Sequence, residues 1–267
     1  MFNFSIPPDF KNKHYKKKEK FYLIFFASDS NFLTNKGKIK IENIHRISFE
    51  LSNLCNYSNI HPQCPVSMQK DKKTLSSKIV KGVINQLGKK NYKGFIAFHR
   101  YNEPLIDPRL FEFISYTKTY CPEAKIHILT NGFYLTQSIV EDFNEAEIES
   151  LEVSAYNKNE YQRLINLKVK FPYKVTFALL DSRKSLYSRK KLNSTKPCYA
   201  QINDITINCE GKLVLCCLDW RNKHIFGDLK NHSLEKVINS KSFLKTYKNL
   251  TQGKRLLDLC SRCDWQR

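Results

Sequence analysis

From residue 45 onward the chain alternates short apolar runs of strand length with longer segments whose apolar residues recur at helical spacing. "RISFELS" (46–52) reads as a strand. "TLSSKIVKGVINQLGKK" (74–90) reads as a helix, with Leu75, Ile79, Val83, Ile84 and Leu87 along one face. "GFIAFH" is a strand, "PRLFEFISYTKTY" a helix, and "KIHILT" a strand that ends in the turn "NG". "LTQSIVEDFNEA" then reads as a helix with a threonine cap. "SLEVSAY" (strand), "KNEYQRLINLKVK" (helix) and "KVTFALLDSR" (strand) follow. An earlier run, "KFYLIFFAS" (20–28), is also apolar and of strand length. Such alternation is the signature of a parallel sheet with helical crossovers, either an open α/β sheet or a partial (β/α) barrel.

The pattern changes near residue 190. "SRKSLYSRKKLNSTKP" is basic and serine-rich and reads as a linker. Beyond it, "DITINCEGKLVLCC" reads as a hairpin turning at Glu210-Gly211, and "SLEKVINSKSFLKTYKNLTQGKR" as a helical stretch before "LCSRCDW". The expected organisation is a basic extension with a first strand (1–44), an α/β unit (45–190) and a small cysteine-bearing unit (191–267). No repeat at a fixed period is present.

Composition adds four constraints. The 267 residues suffice for one sizeable domain with an appendage, and 41% hydrophobic content supports a real core. No apolar run approaches the ~18–20 residues that a membrane span needs, and the first twenty residues lack the apolar stretch of a signal peptide. A cytoplasmic setting is expected, where nine cysteines serve as metal ligands or small apolar residues before they serve as disulfides. The net charge of +20 suits anionic partners. The lysines are scattered and no nucleic-acid motif accompanies them, which favours plain solvation or a small anionic substrate over nucleic acid or membrane.

Cys198, Cys216, Cys260 and Cys263 are spaced C-x17-C-x43-C-x2-C, and Gly211 gives the opening C-x12-G-x4-C. Two cysteines two apart on a turn can face one metal, and a hairpin can deliver the others. Four thiolates suit either Zn²⁺ or an iron–sulfur cluster, and spacing alone does not separate the two. Cys209 and Cys217 are left over, and strand alternation would point Cys217 away from Cys216. Near the N-terminal end, "ISFELSNLCNYSNIHPQCPVSMQK" holds Cys55, His61 and Cys64 as C-x5-H-x2-C after a strand.

The run from "PCYAQINDITINCEGKLVLCC" to "LCSRCDW" resembles the SPASM or shorter twitch auxiliary-cluster region of radical S-adenosylmethionine (SAM) enzymes. The resemblance extends over roughly residues 45–265. It implies a partial (β/α)6 TIM-like barrel with a small C-terminal β-hairpin/helix twitch domain, SAM, and two [4Fe–4S] clusters. Cys198, Cys216, Cys260 and Cys263 would hold the auxiliary cluster. Such enzymes carry a C-x3-C-x2-C loop after the first strand. Here Glu50, Cys55-Asn56 and Cys64-Pro65 match its landmarks, two extra residues intervene, and His61 stands where the middle cysteine is expected. Three readings stay open: His61 as third ligand, another group such as Ser67, or a site that holds no SAM-cleaving cluster.

The resemblance continues at the strand ends. Asn102-Glu103-Pro104 stands for "GGEP", and Thr130, Asn131 and Gly132 for "TNG". Ser154 matches the fourth-strand element and Arg183 the mouth of the fifth strand. These would surround SAM. Arg100, Tyr101 and Tyr156, with His99, share that rim and are candidate substrate or proton-transfer groups. The expected function is hydrogen abstraction leading to oxidation or epimerisation of a small polar sugar, aminocyclitol or nucleotide-linked substrate. An anionic substrate and a flavodoxin or ferredoxin donor are expected partners. A peptide-modifying maturase is the runner-up, and a degenerate zinc or nucleic-acid-binding module is the rival from another class.

Overall fold

The computed structural model describes residues 37–61, 64–68, 71–177, 183–192 and 194–263. The strand expected over 20–28 lies outside them. The alternating pattern becomes strands β1 (Arg46–Phe49), β2 (Phe95–Ala97), β3 (Lys125–Thr130), β4 (Ser150–Ala155) and β5 (Tyr173–Phe177). Helices α1 (Ser77–Gly88), α2 (Leu110–Tyr120), α3 (Gln137–Glu145) and α4 (Lys158–Ile165) lie between them in sequence. Neighbouring strands among β1–β5 pair in parallel. The expected threonine cap is present: Thr136 Oγ1 accepts from the amide of Ile139 at the start of α3.

A short helix α5 (Ala200–Asn203) leads into β6 (Ile205–Ile207), β7 (Lys212–Val214) and β8 (Ile225–Asp228). Strand β6 pairs in parallel with β1, on the side away from β2, and β7 and β8 continue antiparallel. The result is one eight-stranded sheet in the order β5-β4-β3-β2-β1-β6-β7-β8, open at both edges. The hairpin of the C-terminal segment therefore extends the barrel sheet directly.

The helical stretch after residue 233 is two helices, α6 (Leu234–Ile238) and α7 (Lys241–Thr251), followed by α8 (Asp258–Ser261). The break falls at Ser240, whose side chain accepts from the amide of Phe243 and starts α7 afresh. Strand β8 carries little apolar pattern. It is held by its pairing with β7 and by Gly227, where a Cβ would meet Val237 Cγ2 at 2.6 Å.

The main core lies between the sheet and helices α1–α3. Phe49, Phe98, Phe113 and Phe143 are fully buried there, each contributing about 1.5–3 kcal/mol by its removal from water. Phe49 stacks on Phe98, and Phe98 on Phe113, at centroid distances of 5.9 and 6.1 Å. This row fixes the carboxyl ends of β1 and β2, where the candidate residues begin. No helix among the described residues is long and apolar enough to cross a membrane.

Candidate active site

Parallel strands deliver their carboxyl ends to one rim, and that is where α/β folds assemble sites. Directly after β1, Glu50 is buried and accepts from the guanidinium of Arg100 at 3.1 Å and from the amide of Cys209 at 3.1 Å. The following loop winds through successive turns: the amide of Ser58 donates to Cys55 O, that of His61 to Tyr57 O, and that of Cys64 to His61 O. Ser67, a ligand alternative, spends its hydroxyl on the Cys64 carbonyl at 2.8 Å.

These turns bring Cys55 and Cys64 within each other's electrostatic reach. Burial, then the nearby Glu103 and Cys64, push the Cys55 thiol up to about 11, against the help of the Tyr57 amide and Asn131. His61 is 3% exposed, and its ring meets Tyr156 edge-on at 5.1 Å. Tyr156 in turn packs on Tyr57 at 5.1 Å, and the Tyr57 hydroxyl donates to Glu160 at 2.6 Å. The loop is thereby latched to the end of β4 and the start of α4.

The two turns expected to surround SAM meet at Glu103. Its carboxylate accepts from Thr130 Oγ1 at 2.5 Å, the Asn131 amide at 2.8 Å and the Leu105 amide at 3.1 Å. Burial raises its pKa above the ordinary carboxylate value, while those three donors hold it down. Asn131 spans from this turn to the cysteine loop, donating to Asn56 Oδ1 at 2.8 Å with its nitrogen 3.8 Å from Cys55 Sγ. Gly132 has φ +77°, and a Cβ there would lie 2.5 Å from Val153 Cγ1, so the turn requires glycine. Asn102 accepts from the Arg100 amide and donates to Phe98 O. Ser154 lies on β4 opposite Thr176. Arg183 starts a 3-10 turn over Arg183–Ser188, and its side chain is outside the described residues.

Arg100 and Tyr101 turn away from the rim. Arg100, 1% exposed in its side chain, bonds Glu50, the Asp219 carbonyl at 2.8 Å and Asn222 at 3.0 Å. Tyr101 donates to the Cys217 carbonyl. Both reach the loop after Cys216. Asp219 anchors that loop from inside, accepting from Tyr187 and from the amides of Lys223 and His224. A second apolar cluster, including Tyr101, Tyr187 and Trp220, contains Cys64, Cys260 and Cys263 and packs against Cys55, Cys198 and Cys216. One small core therefore joins the two cysteine groups.

Cys198, Cys216, Cys260 and Cys263 line a single pocket. Its other walls are chiefly leucine. Cys217 lines it too, because β7 ends at Val214 and strand alternation no longer applies at residues 216 and 217. Burial and neighbouring thiols raise Cys260 to about 12 and Cys216 well above its ordinary value. Such a pocket disfavours bare thiolates and accepts them once a cationic group supplies compensating charge, as the irons of a cluster do. The donor set fits an iron–sulfur cluster. All nine cysteines are free thiols.

Residues 198–264 match the SPASM iron–sulfur cluster-binding domain. The fold is similar to the crystal structure of BtrN in complex with AdoMet and 2-DOIA, with a TM-score of 0.71 and 24% identity over 83% of this chain and 93% of that one. It is also similar to anSMEcpe with bound AdoMet, with a TM-score of 0.57 and 10% identity over 77% and 83% of the two chains. The chain carries a C-terminal SPASM domain on a fold similar to that of these AdoMet-bound proteins. In sequence it is similar to the S-adenosyl-L-methionine-dependent 2-deoxy-scyllo-inosamine dehydrogenase of Niallia circulans, 26% identical over 233 residues, which are 82% of this chain and 92% of the relative.

Proposed function

We propose that the chain oxidises a secondary alcohol of a small aminocyclitol related to 2-deoxy-scyllo-inosamine. The observation that carries this is the match to the inosamine dehydrogenase along 92% of that enzyme's length. When bound, the two clusters and SAM supply a hydrogen-abstracting 5′-deoxyadenosyl radical and an electron acceptor.

The chain's own residues are assigned as follows. Cys55, Cys64 and His61 hold the first cluster, and Cys198, Cys216, Cys260 and Cys263 the auxiliary one. Thr130, Asn131, Gly132, Asn102 and Ser154 shape the SAM site around Glu103, with Arg183 at its mouth. Glu103 keeps the two SAM-facing turns together through its three donors. Tyr156, half-buried at the end of β4, is assigned to the substrate side of the rim. We assign Arg100 and Tyr101 to joining the barrel to the auxiliary loop, because Arg100 bonds Glu50, Asp219 and Asn222 and Tyr101 bonds Cys217.

An amine-bearing polyol replaces the anion as the favoured substrate, and the charge of +20 is assigned to docking an acidic flavodoxin or ferredoxin. Residues 45–190 and 191–267 are taken as the functional units, and the reduced cysteines suit the cytoplasm. The test is anaerobic incubation of reconstituted protein with SAM, a low-potential reductant and 2-deoxy-scyllo-inosamine. We expect 5′-deoxyadenosine together with a product lighter by two hydrogens. SAM cleavage that leaves the aminocyclitol unchanged would overturn the assignment.

A further inference from the structure

Among the described residues, the pocket of the auxiliary cysteines has one charged residue on its wall, Arg255. It is 7% exposed. Its Nε donates to the Lys196 carbonyl at 3.2 Å and its Nη1 to the Cys263 carbonyl at 3.0 Å, so it bridges the segments that carry Cys198 and Cys263. The turn that aims it is built for the purpose. Gly253, at φ +75°, ends α7, and a Cβ there would fall 1.8 Å from the Thr195 carbonyl oxygen. The chain is pressed against residues 195–196 two positions before Arg255.

A guanidinium stays charged wherever it is placed. In a pocket whose other walls are thiols, apolar side chains and the neutral amide of Gln201 it is screened little, and its field acts strongly on any charge held there. A cluster bound by four thiolates is anionic, and one electron more makes it more so. A buried cation therefore stabilises the reduced form more than the oxidised form and raises the potential.

We propose that Arg255 tunes the auxiliary cluster to accept the substrate's electron. The proposal rests on the reading of the chain as an alcohol-oxidising enzyme. In that reaction the deoxyadenosyl radical takes a hydrogen atom from the carbinol carbon and leaves as 5′-deoxyadenosine. The carbon radical then gives its hydroxyl proton to a base or solvent and one electron to the oxidised auxiliary cluster, and the C=O bond forms. The electron so delivered would pass from the auxiliary site to an oxidised external electron carrier, such as a flavodoxin or ferredoxin.

The test is a redox titration followed by EPR on full-length protein carrying Cys55→Ala and Cys64→Ala, so that only the auxiliary cluster gives signal. Adding Arg255→Gln should keep the iron and lower the midpoint potential by at least a ten-fold change in the one-electron equilibrium, about 59 mV. Arg255→Lys should stay near the parent. Arg255→His should show a potential that falls between pH 6 and pH 8.5 more steeply than the parent's, as its charge is lost. With the first site intact, Arg255→Gln should release more 5′-deoxyadenosine per ketone formed. An unchanged potential in an iron-replete Arg255→Gln protein would overturn the proposal. So would loss of the cluster from both the Gln and His forms, which would make Arg255 only a clamp. Failure of the wild type to oxidise the inosamine would sink the substrate reading, while the titration would still decide the role of Arg255.

Discussion

Replacing Arg100 by Met isolates the largest electrostatic element at the junction of the two cysteine sites. Arg100 and Glu50 face each other at 3.1 Å with 1% of each side chain exposed. Removing one partner of a buried pair leaves the other charged and unpaired, which costs about 3–5 kcal/mol. Glu50 would keep only the Cys209 amide, and the Asp219 carbonyl and Asn222 would lose their donor. Set against a typical total stability of about 5–15 kcal/mol, this is a severe loss. Equilibrium urea unfolding of the apoprotein, followed by circular dichroism, should register it. The double variant Arg100→Met/Glu50→Gln should recover more than half, because the stranded charge is gone. A loss below about 1 kcal/mol, combined with abolished turnover, would refute the structural assignment and return Arg100 to the substrate-contacting role expected from sequence.

Three further outcomes are expected. Gly132→Ala should lower stability by about 1–3 kcal/mol and weaken SAM binding, read by thermal melting and equilibrium dialysis, because the new methyl meets Val153 and Leu164 at a positive φ. His61→Ala should reduce the iron held at the first site and leave the auxiliary cluster intact; unchanged iron and SAM cleavage would remove His61 as a ligand. His127 is held down to about 3, first by burial and then by the charge of Arg46. Its folded-state value lies below the unfolded value of about 6.5, so its contribution is complete above pH 6.5 and is lost as the pH falls toward 3. Melting temperature measured against pH should show that decline, and His127→Asn should flatten it.

The alternation of apolar runs made β1–β5 and α1–α4 legible, because most of them bury a regular face against one core, while β5 is half-buried throughout and α4 is held through Leu164. Strand β8 was not, since Ile225–Asp228 owes its conformation to pairing with β7 and to a glycine under Val237. That Cys198, Cys216, Cys260 and Cys263 gather at one pocket could be read from spacing, whereas the presence of Cys217 there could not: its direction depends on where β7 ends. Glu103 could be placed at the rim, but its joint hold on Thr130 and Asn131 spans 27 and 28 residues and has no local signal. Arg100 and Tyr101 looked like rim groups by position. Their direction follows from β6–β8 lying beside β1, a sheet order that the local pattern does not encode. Arg255 carries no motif at all, and only the turn at Gly253 reveals what it faces.

The measurement that bears most directly on the account is iron content with EPR of anaerobically reconstituted Cys198→Ala protein, compared with the wild type. Two separate [4Fe–4S] sites predict about eight irons per wild-type chain and about four in the variant, with a remaining signal that changes when SAM is added. A variant that binds no iron, or whose signal ignores SAM, would contradict it.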